Sequence, residues 1–401
     1  TITGGAGADT FDASLATGNS AVTLGAGNDT LKMGAIASIN ASSSYNGGDG
    51  TDTVQFTDGS KLTTTNGKQF SGFEVLSTGA GTGVYNVEAI SGITAVKVDG
   101  AITAATTIDK VTTQSVSVTA TIANNLTVAL KDATGKADSL SFSIGGAADV
   151  TASKIITAAV ETVTVNSTKT GASVGGNTIS SLDVTGATTL NFSGDHKLTV
   201  TAFASATTVT KIDASGLSKG LVMGAATGAG VGGTYIGGAG ADTLLGNAKG
   251  DTFYGAGGGD TITLGAAGAA DTVVIKSGAD SKIGLTGIVL STTGMDTVTA
   301  FTTGEDSFDL GAFGFTGNAK SGLINKGVTV AAATHLLDLA TNGSTGFFND
   351  GIANRAVAIS NDGANTYVYI DANGDGNFSA ATDAVIKLRA VTAVALSDFG
   401  F

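Results

Sequence analysis

Along most of the chain, β-branched and other large apolar residues alternate with Thr, Ser or charged residues, then stop at clusters of small residues. VETVTVNST at 160–168, ISSLDVTGA at 179–187, ATTLNFSGD at 187–195 and VTKIDASGL at 209–217 all follow this rule. A period of two puts every second side chain on one face, so each phrase predicts a short strand buried on one side and followed by a turn. Irregular rungs of this kind over 84–230 predict a parallel β-helix or a β-sandwich. The Thr-rich faces read as solvated β surface, or as a contact surface for a neighbour. Helical spacing is scarce. Its best case is GVTVAAATHLLDLATNG at 327–343, with Gly343 just past the end.

A second pattern is a true repeat. GGAGADTFD at 4–12 and GGDGTDTVQ at 47–55 fit G-G-x-G-x-D-x-U-x, where U is a large apolar residue, and LGAGNDTLK at 24–32 fits from Gly25 onward. A tandem set follows: GGAGADTLL at 237–245, GNAKGDTFY at 246–254 and GAGGGDTIT at 255–263, then a looser GAAGAADTVV at 265–274. Asp242, Asp251 and Asp260 are nine residues apart, with Asp271 after eleven.

The residue types dictate the local structure. The Gly-rich half makes a tight turn, because glycine takes positive φ without a Cβ clash. The half around U makes a short strand with U pointing inward. Nine residues make half a coil, so alternate turns share an edge: Asp242 is expected over Asp260, and Asp251 over Asp271. Stacked carboxylates repel unless a cation lies between them, and an all-oxygen ligand set selects a hard ion such as calcium. The competing reading is a set of surface turns capped by Asp.

These nonapeptides resemble the RTX family of type I-secreted proteins, whose repeats form calcium β-rolls. In that family the first and third residues donate carbonyls and the sixth its carboxylate. The resemblance thus implies ligands at Gly4, Ala6 and Asp9 and at Gly47, Asp49 and Asp52, and, in the shifted copy counted from Gly25, at Gly25, Gly27 and Asp29. It implies the same at Gly237, Ala239 and Asp242; Gly246, Ala248 and Asp251; and Gly255, Gly257 and Asp260, with Asp271 in the looser copy. Lys249 stands where the family has its fourth glycine. The phrase DTVTAFTTGEDSFDLGAF at 296–313 resembles the segment that closes such rolls. There Asp296, Glu305, Asp306 and Asp309 hold a further calcium or cap turns.

Residues 371–383, DANGDGNFSAATD, resemble an EF-hand-type loop, with Asp371, Asn373 and Asp375 at places one, three and five and Gly376 at six. Thr382 occupies the twelfth place and Asp383 follows it. Strand-like TYVYI and AVIKL flank the loop, so a plain hairpin turn is the alternative. The ending VTAVALSDFGF resembles a type I secretion signal, and by composition alone it is a terminal strand. The first residue is Thr1, which reads as a fragment or a processed form.

Composition narrows the function classes. Of 401 residues, 61 are Gly and none is Pro, Cys or Trp; 42% are hydrophobic and 13% charged. Disordered chains are poor in apolar residues and rich in charge, so this chain folds. A net charge of −13 argues against nucleic acid and anionic membrane as partners. Without cysteine there is no disulfide, thiolate metal site or cysteine catalysis. No apolar stretch reaches the roughly 18 residues that a membrane span needs. His196 and His335 are isolated, and no zinc-protease, nucleophile-elbow or phosphate-loop motif occurs, so no enzyme is expected within these residues.

The expected fold is all-β: a calcium-bound β-roll or parallel β-solenoid with an irregular β-helix-like middle and one short helix. Four segments are expected: an RTX roll at 1–83, a strand-repeat region at 84–230, a second RTX array with its closing motif at 231–325, and a C-terminal domain at 326–401. The chain is similar in style to RTX-type surface-layer proteins of Gram-negative bacteria, of the kind found in Caulobacter. That likeness implies export by a type I secretion machinery, calcium-driven folding at the cell surface, and a two-dimensional lattice of copies of the chain. It also implies attachment to surface polysaccharide through a region outside this chain. The alternatives are the calcium-stiffened stalk of an RTX adhesin and the export domain of a secreted hydrolase.

Overall fold

The apolar residue two places after each turn carboxylate points inward and lands on its counterpart in the next coil. In the computed structural model, which describes residues 1–34, 39–224, 232–286, 288–328 and 332–401, that rule builds two compact units. One comprises Thr1–Ala187 with Thr199–Ser205, and the other Thr188–Leu198 with Ala206–Phe401.

The first unit is a parallel β-solenoid. Strands Thr10–Asp12, Thr30–Gly34, Thr53–Phe56, Val75–Ser77, Ala95–Val98 and Ser115–Val118 pair in sequence order on one side, continuing to Thr162–Ser167. Their register aligns Phe11, Leu31, Val54, Leu76, Val96, Val116, Phe142 and Val165 in one column. From Leu31 onward every member of that column is buried. On the other side, Ile2–Thr3, Ala21–Ala26, Ser44–Asp49 and Phe70–Ser71 form a four-stranded parallel sheet. Gly83–Asn86, Thr106–Val111, Ile122–Leu130, Thr151–Ala158 and Asn177–Thr185 pair in parallel further along that side. The phrases at 160–168 and 179–187 thus form parallel rungs rather than a sandwich.

The second unit repeats the plan. Tyr235, Phe253, Val273, Phe308 and Phe399 form one inward column, and Leu244, Ile262, Val298 and Leu388 the facing one. Tyr235 stacks on Phe253 at 4.9 Å between ring centroids, and Phe308 on Phe399 at 5.6 Å. Each stack adds an aromatic-pair term to the burial of large rings. The chain's final strand, Phe399–Gly400, therefore closes the column on Ser307–Asp309.

Three additions depart from the simple roll. An antiparallel hairpin, Lys282–Thr286 with Val289–Gly294, is inserted before the strand Thr297–Thr299. Strands Val357–Asn361, Thr366–Ile370 and Ala384–Leu388 run antiparallel, and the last of them joins the roll beside Thr297–Thr299. The helix Ala332–Asn342 buries Leu336 and Leu339 with Ile283, Met295, Phe347, Tyr369 and Phe378 in a separate cluster. Periodicity pointed to the helix, although Gly327 and Val328, which fell within the expected segment, end the strand Ile324–Val328 instead, and it did not point to the hairpin.

Candidate metal centres

Turn carboxylates line the edges of both units, and their backbone contacts repeat from coil to coil. In the first unit the amide of Asp9 donates to Asp29 Oδ1 (2.7 Å), that of Asp29 to Asp52 Oδ1 (2.8 Å), and that of Asp52 to Glu74 Oε2 (2.9 Å). In the second unit, one row runs from the Leu221 amide to Asp242 (2.5 Å), from Asp242 to Asp260 (2.8 Å) and from Asp260 to Asp296 (2.9 Å). The other runs from Gly233 to Asp251 (2.6 Å), from Asp251 to Asp271 (2.7 Å) and from Asp271 to Asp306 (2.9 Å). The stacks of Asp242 over Asp260 and of Asp251 over Asp271 are those that the nine-residue period requires.

Each accepting Asp thus spends one oxygen on holding the turn of the preceding coil. The other faces its own glycine turn, so close that a Cβ on Gly237 would come within 2.5 Å of Asp242 Oδ2 and one on Gly255 within 2.2 Å of Asp260 Oδ2. That crowding explains the glycines at these places better than turn propensity does. Asp29, Asp52 and Asp260 are buried, and among the described residues Oδ2 of each has no hydrogen-bond partner. A carboxylate oxygen left alone in an apolar interior is costly, so a cation or a proton belongs there.

The electrostatics agree. Burial pushes the Asp242 carboxyl up to about 6 and that of Asp260 up to about 8, with the charges of Asp242 and Asp280 adding to the latter. Burial, with Asp260 beside it, raises Asp296 well above the usual carboxylate range. Asp52, Asp251 and Asp271 are raised as well, burial being the main cause in each. Among the described residues, no three His, Cys, Asp or Glu side chains converge on one point. Seats built from one carboxylate and several turn carbonyls meet that description, and oxygen donors of this kind suit calcium. Of the implied carbonyl donors, Gly4, Ala6, Gly27, Gly237, Ala239, Gly246, Ala248, Gly255 and Gly257 lie in these turns, whereas Gly25, Gly47 and Asp49 lie at the ends of the strands Ala21–Ala26 and Ser44–Asp49 that lead into them.

Residues 1–15 and 236–267 match the RTX calcium-binding nonapeptide repeat family, in four copies. The chain carries RTX calcium-binding repeats. No curated protein matches the chain. Repeats of this family bind calcium and are typical of secreted proteins, and the two RTX arrays supply several seats for the ion. Asp29 and Asp52 fall outside the matched residues, yet they stack in register with Asp9. Among the described residues, no helix is long and apolar enough to cross a membrane.

The remaining candidates divide. Asp296 and Asp306 join the RTX rows, and Asp306 Oδ2 accepts from the Thr302 amide at 2.7 Å. Asp309 is exposed and accepts from Gly311 at 2.9 Å, as a turn-capping carboxylate does. In the 371–383 loop, Asp371 and Asp383 are buried, whereas Asn373 and Asp375 are exposed. Asp371 accepts from the amides of Asp375 (3.1 Å) and Gly376 (2.9 Å). Asp383 accepts from Ala372 (3.0 Å) and Ser379 (2.7 Å). Burial, with the charges of Asp383 and Asp375 behind it, pushes the Asp371 carboxyl up to about 6. The loop is a hairpin connection whose acidic ends turn inward.

Four carboxylates escaped the sequence reading. Glu74 ends the first RTX row with Gly72 (φ 64°) two places before it but no nonapeptide of its own; the signal was the phrase Glu-Val-Leu, whose Leu76 falls in the inward column. Asp138 repeats the ladder contact with Glu161 (2.9 Å), and its Oδ2 has no partner among the described residues. Asp280 is buried, and its Oδ2 accepts from the Lys276 amide four places back at 2.8 Å. Asp398 is buried beside the closing strand and accepts from Gly304 at 2.9 Å.

Proposed function

We propose that this chain is a structural protein that folds when calcium fills its RTX rows and then assembles with copies of itself into a two-dimensional surface layer. The observation that carries the reading is the set of buried turn oxygens without partners at Asp29, Asp52 and Asp260. Such a roll is unstable wherever calcium is scarce, which keeps the chain unfolded and exportable through a type I machinery. Sites of the extracellular class, with Kd roughly 10⁻⁴–10⁻³ M, fill outside the cell, and binding energy becomes folding energy. Calcium bridging acidic edges would let chains of net charge −13 associate. We assign the chain no catalytic role, because its clustered carboxylates are accounted for by the ion.

The test is electron microscopy of the purified chain dialysed from chelator into millimolar calcium, with magnesium as control. Ordered sheets that appear with calcium alone support the proposal. Monomers that gain β structure with calcium but never assemble overturn the surface-layer part and favour an adhesin stalk or an export domain.

A further inference from the structure

The six regular nonapeptide turns do not share one backbone. Before Asp29, Asp52 and Asp260, the residues four and two places back both lie in the left-handed region. Their φ values are 112° and 133° at Gly25 and Gly27, 111° and 140° at Gly48 and Gly50, and 66° and 132° at Ala256 and Gly258. These are the three turns whose Asp Oδ2 has no donor among the described residues, in residues that are 0–1% exposed. Before Asp9, Asp242 and Asp251, none of the corresponding residues lies in that region. There the amide four places back closes on Oδ2, from Gly5 (2.8 Å), Gly238 (2.7 Å) and Asn247 (2.7 Å). An amide hydrogen and a cation compete for the same lone pairs, so a turn presents either a closed carboxylate or an open one.

The turn before Asp251 differs in a second way. Asn247 and Lys249 stand where the other five regular turns have Gly or Ala four places back and Gly two places back. Asn247 donates from Nδ2 to Asp251 Oδ1 at 3.0 Å as well as from its own amide to Oδ2, and its Oδ1 accepts the Lys249 amide at 2.8 Å. One asparagine thus satisfies both carboxylate oxygens from inside the turn. Ala256 shows that the position four back tolerates a Cβ at positive φ, whereas all three open turns have glycine two back. A Lys there resists the left-handed conformation, because its Cβ crowds the following carbonyl.

We propose that the turn backbone decides which rungs take calcium, an inference that rests on the calcium-binding reading above. Asp29, Asp52 and Asp260 are preformed seats that fill first. Asp9 and Asp242 are convertible, since glycine at both key positions lets calcium displace the closing amide. Asp251 is a locked rung in which Asn247 takes the place of the ion, so it holds its fold without metal.

The test counts bound calcium on the full chain by equilibrium dialysis and follows the affinity classes by titration calorimetry, with far-UV circular dichroism to confirm folding. The double variant Asn247→Gly/Lys249→Gly is expected to bind one calcium more than the wild type. Asp260→Asn is expected to lose at least one ion from the tightest class. A folded double variant with the wild-type count overturns the locked rung, and an Asp260→Asn chain with its tight class intact overturns the preformed seats. Should the double variant not fold, Lys249→Gly alone carries the same expectation and the same refutation. A wild type that binds no calcium overturns the underlying reading as well, which separates the two failures.

Discussion

Replacing Asp260 by Asn should change stability by different amounts with and without calcium. The Asp260 carboxyl is pushed up to about 8 by burial, from an ordinary value of 3.8. A carboxyl whose pKa is raised by folding stabilises the fold below 3.8 and loses that contribution as pH climbs towards 8. Each pH unit between costs the metal-free fold about 1.4 kcal/mol, hence roughly 4 kcal/mol by pH 7, as an upper figure for one buried group. Asn removes this proton linkage and keeps the bond from the Asp242 amide through its own Oδ1. It places an amide nitrogen where Oδ2 stood, at a cost of about 1–3 kcal/mol if that nitrogen finds no acceptor. Metal-free Asp260→Asn should therefore match or exceed wild type at pH 7, with a flatter dependence between pH 5 and 8. Calcium narrows or cancels that lead, since each lost site at tenfold over its Kd forfeits about 1.4 kcal/mol. Urea unfolding followed by far-UV circular dichroism, in calcium-free buffer and in millimolar calcium, reads both arms. If the variant weakens the metal-free fold as much as the calcium-loaded one, the carboxylate serves the protein alone and the cation argument fails.

Three further perturbations test other levels of the structure. Phe253 is fully buried between Tyr235 and Val273, so Phe253→Ala should cost about 3–5 kcal/mol in saturating calcium, measured as a shift in urea midpoint. Gly50 has φ 140°, and a Cβ there would sit 1.9 Å from Gly27 O. Gly50→Ala should abolish stacking of the first array, seen as rapid proteolysis within residues 1–83 while the second array stays protected. Asp383→Asn replaces one of the two buried loop carboxylates, so the connection at 371–383 should lose any calcium-dependent protection from amide exchange. Equal protection with and without calcium would make the loop an ordinary hairpin.

The coil plan was legible because one residue type did one job at each place. Asp-x-U fixes turn, strand and inward column together, so the positions of Leu31, Val54, Leu244 and Ile262 could be read directly. Where the phrase loses its glycines the reading weakens, although the coil continues. Glu74 sits under Asp52 because Leu76 is in register, not because a nonapeptide precedes it. The hairpin Lys282–Thr286/Val289–Gly294 was missed because its alternation is as strand-like as a rung's. Nothing local says that its partner is the next strand in antiparallel sense rather than a strand one coil away. The 371–383 loop was legible as an acidic turn, but its place beside the roll was not. That place depends on contacts from far along the chain: the Val385 amide donates to the Ser281 carbonyl at 3.0 Å, and a Cβ on Gly278 would meet Thr382 O at 1.7 Å.

What decides between a capped turn and a metal seat is the carboxylate's second oxygen. A capping Asp spends both oxygens within its neighbourhood, as Asp350 does with the amides of Ile352 and Ala353 and the Arg355 guanidinium, which together hold its carboxyl down to about 2. Asp260 is the reverse case: one amide bond, one empty lone-pair site and a carboxyl pushed up to about 8. The same residue type thus carries opposite signs of charge preference in one chain, and burial sets the sign. An Asp that folds best charged stabilises a turn at neutral pH unaided. One that folds best neutral waits for a proton or a cation, and calcium competes with the proton for it. A row of the second kind, strung along one edge, makes a roll whose stability follows the calcium around it.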